Sequence, residues 1–311
     1  MKTAGIHHIS AIVGNPQENV DFYAGILGMR LVKKTVNFDD PGTYHLYFGD
    51  EAGSPGTIMT FFPWPTAFRG RIGDGQVGVT SYAVPEGALP FWKERLEQFN
   101  IPFLEVERFG ELYIQLDDPH GLHIELVERT EGKPSEWTFG GVSSEVAIKG
   151  FGGATLYSSS PQQTADVLTR VMGLELVSRE GDYLRFKSTA TIGNIIDLKT
   201  VPGQRGSMGP GTVHHIAWRA KDQQEHLQWQ EHVLQHNLRV TEVKDRHYFD
   251  AIYFPEPGDI LFEIATDPPG FSVDEDTEVL GEQLMLPPQY EHLRDELESK
   301  LPVLQVRPLE K

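Results

Sequence analysis

Two stretches decide the fold: Tyr23–Val32, YAGILGMRLV, and Leu168–Val177, LTRVMGLELV, which match 145 residues apart. Each ends an amphipathic run in a glycine able to cap a helix, Gly28 or Gly173, before an alternating strand begins. A second pair lies downstream, where Asp118–Glu125, DPHGLHIE, parallels Glu256–Glu263, EPGDILFE, with 138 residues between the two final carboxylates. Similar offsets imply one duplication of a unit that itself holds two parts.

Each part reads as a strand, a helix and then hairpin strands. Openings fall at Gly5–Val13, Val77–Val84, Gly150–Ser158 and Thr212–Arg219, and helical periodicity follows at Leu89–Phe99 and Glu225–His236. Closing strands are expected at Tyr44–Phe48, Leu112–Leu116, Tyr183–Phe186 and Ile252–Phe254. The expectation is therefore an α+β fold of four βαβββ modules. Residues 1–135 form the first half and 145–270 the second, joined through the polar stretch Thr130–Ser144. Residues 271–311 make a C-terminal extension in which Tyr290, Leu293, Leu297 and Leu301 mark one amphipathic helix.

Composition narrows the function. With 39% apolar residues and 10% aromatics, 311 residues can fill a core in each half. A formal net charge of −18 repels phosphate backbones and anionic lipid, so neither nucleic acid nor membrane is an expected partner. There are no cysteines, so a metal would have to sit on His, Asp or Glu. The chain reads as cytoplasmic.

Modules 1 and 4 open on histidine doublets, His7-His8 in GIHHIS and His214-His215 in TVHHIA, where modules 2 and 3 have VTSYAV and FGGATL. Strand neighbours point to opposite faces, so one histidine of each doublet projects toward a shared cavity. His8, Ser10 and Ile12 share one face of the first strand; His7, Ile9, Ala11 and Val13 share the other, which reads as core. By the same count His215 is the site-facing member of its pair, with His214 on the face of Ile216 and Trp218. An isolated doublet reads as two strand-start histidines at the surface, but two at matching module positions argue for a site. Glu263 lies in ILFEIA, an apolar last strand where an ionised carboxylate is costly unless paired or metal-bound. Two imidazoles and one carboxylate form a facial triad, a set that suits Fe(II) and leaves positions open for a diphenol and O2. Glu125, the matching carboxylate of the first half, has no doublet to join, so that half reads as a metal-free copy. Ligands from modules 1 and 4 require the first module to pair with the fourth and the second with the third.

GIHHIS, LGMRLVKKTVNFDD at Leu27–Asp40, YHLYFGDEAGSPGTIMTFF at Tyr44–Phe62, HHIAW at His214–Trp218 and DRHYFDAIYFPEPGDILFEIATDPPGF at Asp245–Phe271 together resemble the ring-cleaving dioxygenases that act on hydroquinones. These belong to the vicinal oxygen chelate, or glyoxalase/bleomycin-resistance/dioxygenase, superfamily. The resemblance spans nearly the full chain. It implies two tandem glyoxalase-like domains and Fe(II), or in its place Mn(II) or another divalent metal, on His8, His215 and Glu263. It further implies roles near the metal for His7, Ser10, His214, Arg246 and Tyr253, with a small aromatic substrate and O2 as partners and homo-oligomerisation left open. Surface salt bridging for Arg246 and core packing for Tyr253 are the plainer alternatives.

Two other functions fit the same fold. A glyoxalase-like isomerase or lyase would recruit a fourth ligand from the remaining closing strand, and Thr57–Phe62, TIMTFF, offers no carboxylate or imidazole. A non-catalytic binding protein would need a cavity but no triad. His45, His120, His123 and His247 are histidines that the sequence does not place.

Overall fold

The computed structural model describes residues 1–309. It contains the four expected modules. Module 1 has β1 (Ile6–Val13), α1 (Pro16–Val20), β2 (Arg30–Val36), β3 (Tyr44–Gly49) and β4 (Ile58–Pro63). Module 2 has β5 (Gln76–Val84), α2 (Leu89–Gln98), β6 (Phe103–Arg108), β7 (Glu111–Asp117) and β8 (His123–Glu128). Module 3 follows with β9 (Gly150–Tyr157), α3 (Pro161–Asp166), β10 (Glu175–Glu180), β11 (Tyr183–Lys187) and β12 (Ile195–Lys199). Module 4 closes the set with β13 (Thr212–Ala220), α4 (Gln223–Gln235), β14 (Lys244–Asp245), β15 (Phe249–Pro255) and β16 (Leu261–Pro269).

The amphipathic runs that carry the repeat are shorter α-helices than their length suggests. α1 and α3 each run on into a wider π-type turn, Asp21–Ile26 and Val167–Val171. The capping glycines behave as expected, with φ of +69° at Gly28 and +74° at Gly173. A Cβ on Gly28 would meet Val142 at 2.7 Å, so close packing adds to the backbone requirement there. α4 starts where Asp222 accepts the Glu225 N–H at 2.8 Å. It is pinned behind β16 by the buried His226, whose Nε2 donates to the Ile264 carbonyl at 2.8 Å. Trp229 and Val233 complete its inward face.

Strand pairing follows the modules as the histidine doublets require. One eight-stranded sheet has the order β14-β15-β16-β13-β1-β4-β3-β2, joining modules 4 and 1; the other runs β10-β11-β12-β9-β5-β8-β7-β6, joining modules 3 and 2. One large apolar cluster draws on both sheets. A smaller cluster, including Ile58, Ala217, Ala265, Phe271 and Leu280, lies on the first sheet and is closed by residues of the C-terminal segment. Lys33, with no exposed surface, ties that segment down through Asp274 and Glu275, each 2.7 Å from its ammonium group. The single amphipathic helix expected further on is instead a 3-10 turn at Pro288–Leu293 followed by α5 (Arg294–Lys300). Leu297 and Leu301 are buried as their spacing implies.

The two sheets correspond strand for strand, and the second shows how the carboxylate of a metal-free copy is accommodated. Across the first sheet Ala217 pairs with both His8 and Glu263, and Ser10 pairs with both His215 and Thr60. Across the second, Ser81 pairs with both Gly153 and Glu125, and Thr155 pairs with both Val79 and Asp197. Gly153 and Val79 therefore stand where the first sheet has His8 and His215. Glu125, as buried as Glu263, is gripped at 3.2 and 2.9 Å by the Arg108 guanidinium and at 2.7 Å by Ser81. Arg108 also donates to Asp197 at 2.9 Å, and Arg185 holds that carboxylate from the other side. An internal guanidinium thus supplies the positive charge. Arg108→Met should destabilise the fold by about 3–5 kcal/mol, because Glu125 would stay buried without its cation. The double variant Arg108→Met/Glu125→Leu should recover much of that loss, and urea unfolding of both proteins measures it.

Candidate active site

Five neighbouring strands build the site on one face of the first sheet. Tyr253 on β15 is opposite Glu263 on β16; Glu263 is beside Ala217 on β13; Ala217 is opposite His8 on β1. Two residues along, His215, Ser10 and Thr60 form the next row on β13, β1 and β4. Register alone therefore brings the ends of the chain together.

His8 Nε2 lies 3.3 Å from His215 Nε2 and 3.5 Å from Glu263 Oε2, and His215 Nε2 lies 2.8 Å from the same oxygen. Among the described residues this is the one group of three His or acidic side chains with ligand atoms close enough to share a metal ion. The partners of the other ring nitrogens settle what these atoms are. His8 Nδ1 is 2.9 Å from His7 Nδ1, and His215 Nδ1 is 2.8 Å from His214 Nδ1. Burial holds His7 well below its ordinary pKa, helped by neighbouring His8, and pushes His214 down to about 4, so both are neutral at pH 7. A contact with the Thr266 backbone favours a proton on the His7 ring, and the arrangement that suits both contacts has His7 Nδ1 accepting. His8 Nδ1 then carries the donated proton, and its Nε2 a lone pair. By the matching contact, His215 Nε2 presents a lone pair once its Nδ1 donates to His214. Both oxygens of Glu263 are fully buried, and the polar atoms that face Oε2 are the two ligand nitrogens. Three electron-pair donors facing one another out of water are costly unless a cation sits among them, so the residues fit a divalent metal.

The doublets divide their labour. His7 does not reach the cavity: it is 2% exposed, lies behind His8 and contacts the Phe249 ring edge-on at 5.3 Å. The resemblance implied a role near the metal for it, and its ring lies outside the cavity lining, against His8. His214 does line the cavity, although its register puts it on the face of Ile216 and Trp218. It lies near the start of β13, where its ring turns back against His215, with centroids 5.0 Å apart.

Ser10, Arg246 and Tyr253 also line the cavity. Arg246 Nε donates to the Tyr253 hydroxyl at 3.2 Å, and its NH2 donates to Asp39 at 3.2 Å across the mouth. Burial, with the Glu263 charge nearby, raises Tyr253 well above the ordinary phenol range and keeps its proton in place. Of the unplaced histidines, His45 lines the cavity, whereas His247 turns to Asp274 at 3.2 Å. His120 and His123 lie elsewhere, the one accepting from Gly14 N–H and the other paired with Asp117. Sequence reasoning missed Phe38, Tyr47, Thr60, Phe62 and Phe249. Thr60 carried no signal of its own, since its place beside Ser10 comes from the pairing of β1 with β4. The aromatic residues carried none beyond ordinary core chemistry.

Replacing the hydrogen-bond acceptor behind a ligand should loosen the metal without removing a ligand. His7→Phe should weaken divalent metal binding by roughly 10- to 100-fold. Anaerobic competition with a chromophoric chelator measures this, and unchanged affinity would show that His7 does not orient His8.

Comparison with known proteins agrees with this geometry. Residues 5–126 and 150–273 each match the Glyoxalase/Bleomycin resistance protein/Dioxygenase superfamily. The chain is 64% identical over 309 residues to the Bacillus subtilis (strain 168) protein named "Putative ring-cleaving dioxygenase MhqO", covering 99% of each. It is 35% identical over 309 residues to the chlorohydroquinone/hydroquinone 1,2-dioxygenase of Sphingobium indicum, covering 95% of each. A Bacillus subtilis subsp. subtilis str. 168 crystal structure at 64% identity superimposes with a TM-score of 0.98, covering 99% of each chain. Maize glyoxalase I, at 12% identity and TM-score 0.62 over 85% of this chain and 92% of its own, shares the fold. With both halves matched and full-length relatives above 30% identity, the chain belongs to the Glyoxalase/Bleomycin resistance protein/Dioxygenase superfamily.

Proposed function

We propose that this protein is a ring-cleaving dioxygenase that opens hydroquinone or a related dihydric phenol with O2, using Fe(II) held by His8, His215 and Glu263. The observation that carries the reading is the convergence of two imidazole nitrogens and one fully buried carboxylate oxygen at an aromatic-walled cavity. The chlorohydroquinone/hydroquinone 1,2-dioxygenase, similar over nearly its full length, supports the choice of substrate class. Bound there, Fe(II) would supply open coordination positions for a phenolic oxygen and O2 and the capacity to exchange electrons with them.

The chain's own residues do the rest. Phe38, Phe62 and Phe249 line the cavity and offer faces and edges to a substrate ring. Arg246 keeps its charge at any working pH and favours an ionised phenol or other negative oxygen in the cavity. Because the Tyr253 hydroxyl already accepts from Arg246, its own proton is left to donate. His214, with Nδ1 accepting from His215, carries its proton on Nε2 and is a donor on the cavity wall. Ser10 supplies a hydroxyl on the same side as His8. No fourth carboxylate or imidazole joins the three ligands among the described residues, which favours an oxygen-activating site over an isomerase site with a fourth protein ligand.

The proposed partners are a small dihydric phenol and O2. A net charge of −18 argues against polyanions, and no helix of the described residues is long and apolar enough to cross a membrane. In this reading the enzyme works in the cytoplasm. Protein reconstituted anaerobically with Fe(II) should consume one O2 per hydroquinone and yield an opened-ring chromophore, and Glu263→Ala should abolish both signals. Tight metal binding without O2 uptake on any hydroquinone or catechol would overturn the proposal.

A further inference from the structure

One wall of the cavity holds a line of polar groups that the ligand cluster does not use. Ser10 Oγ is 2.7 Å from Thr60 Oγ1, Thr60 Oγ1 is 2.9 Å from His45 Nε2, and His45 Nδ1 is 2.9 Å from the Tyr47 hydroxyl. All four side chains are buried, and β1, β4 and β3 hold them side by side. Ser10, His45 and Tyr47 open on the cavity, while Thr60 sits behind them. The His45 ring is fixed between Tyr47 and Phe62, with centroids at 4.1 and 4.3 Å.

Every member of this line can both donate and accept. Burial keeps His45 neutral and Tyr47 protonated, so the line has two complete senses. In one sense Tyr47 donates to His45, His45 to Thr60 and Thr60 to Ser10, which leaves the Ser10 proton free to donate into the cavity. In the other sense all the donors run toward Tyr47, which leaves Ser10 a free lone pair. The interior bonds are equally satisfied either way, and the choice falls to whatever meets Ser10.

A dihydric phenol at this site has one oxygen for the metal ligands and one left over. Against Phe38, Phe62 and Phe249 that second oxygen would lose water without gaining a partner. We propose that the Ser10–Thr60–His45–Tyr47 line receives the ring hydroxyl that does not go to the metal ligands, and so selects dihydric over monohydric phenols. The proposal rests on the cavity being a diphenol site. Ser10 touches the substrate; Thr60 and His45 are positioning residues that set the direction of its hydrogen bond. The two senses allow the line to hold that oxygen as a protonated hydroxyl, accepting from it, or as an ionised or carbonyl oxygen, donating to it.

The test is anaerobic calorimetric binding of hydroquinone and of 4-methylphenol, which puts a methyl where the second hydroxyl stood, to Fe(II)-loaded protein. The unaltered protein should prefer hydroquinone by roughly 10- to 100-fold, the cost of leaving a buried polar group unpaired. Thr60→Val keeps the side-chain shape but breaks the line, and should bring the ratio close to one with metal content unchanged. Thr60→Ser should restore the preference. A ratio near one in the unaltered protein, no binding of either phenol, an undiminished ratio in Thr60→Val, loss of metal from Thr60→Val, or failure of Thr60→Ser to restore the preference would each overturn the proposal. Selective binding without O2 uptake would instead overturn the ring-cleavage reading and leave the hydroxyl-receiving line standing.

Discussion

Two imidazole lone pairs and a carboxylate, all turned toward one point out of reach of water, form the constraint on which the rest of this structure depends. With both Nε2 atoms presenting lone pairs, such an arrangement has no donor of its own and calls for a cation. The protein must hold it open by force of architecture, and the surrounding features are consistent with that demand. β1 and β13 pair antiparallel so that the doublets meet, and β16 pairs with β13 so that Glu263 completes the set. Behind the ligands, His7 and His214 stand within hydrogen-bond distance of the Nδ1 atoms of His8 and His215, at 2.9 and 2.8 Å. α4 and its buried His226 brace β16 from the opposite face.

The second sheet solves the same problem by opposite means. With a glycine and a valine at the positions of the imidazoles, its buried carboxylates are neutralised by Arg108 and Arg185, which are part of the chain. Register places Arg108 of β6 in the position that Arg246 occupies beside β15 in the first sheet. One duplicated framework thus carries an arginine turned inward in one copy and turned to the cavity mouth in the other. The inward arginine closes its site permanently. The outward one, held by Tyr253 and Asp39, leaves room for a ligand.

Much of this was legible in the chain because repetition is a strong signal. Two offsets of similar length exposed four modules, and the asymmetric doublets then dictated which modules had to pair. Glu263 could be read because an acidic residue among Ile260, Leu261, Phe262 and Ile264 violates ordinary patterning. Three things escaped. His7 and His214 looked equivalent in sequence, yet His7 is covered by Phe249 while His214 lines the cavity. Thr60 and Tyr47 carry no sign of a site on their own, since their importance comes from hydrogen bonds to residues on other strands. The last helix was expected to be continuous from its apolar spacing, but that spacing does not distinguish a 3-10 turn from the first turn of an α-helix.

The order of strands in the first sheet has a consequence for how the protein is made. His8 enters the chain near its beginning and Glu263 near its end, with the whole second sheet between them. While the ribosome is still at work, β1 lacks the neighbour β13 that will later lie against it. The middle modules, which pair only with each other, can form their sheet and seal Arg108 against Glu125 beforehand. The sheet that carries His8, His215 and Glu263 can therefore be completed only after β16 has been made, and Lys33 on β2 can meet Asp274 and Glu275 only once the segment beyond β16 is present. A nascent chain ending before β16 lacks Glu263, so the three side chains converge only when the fourth module is complete.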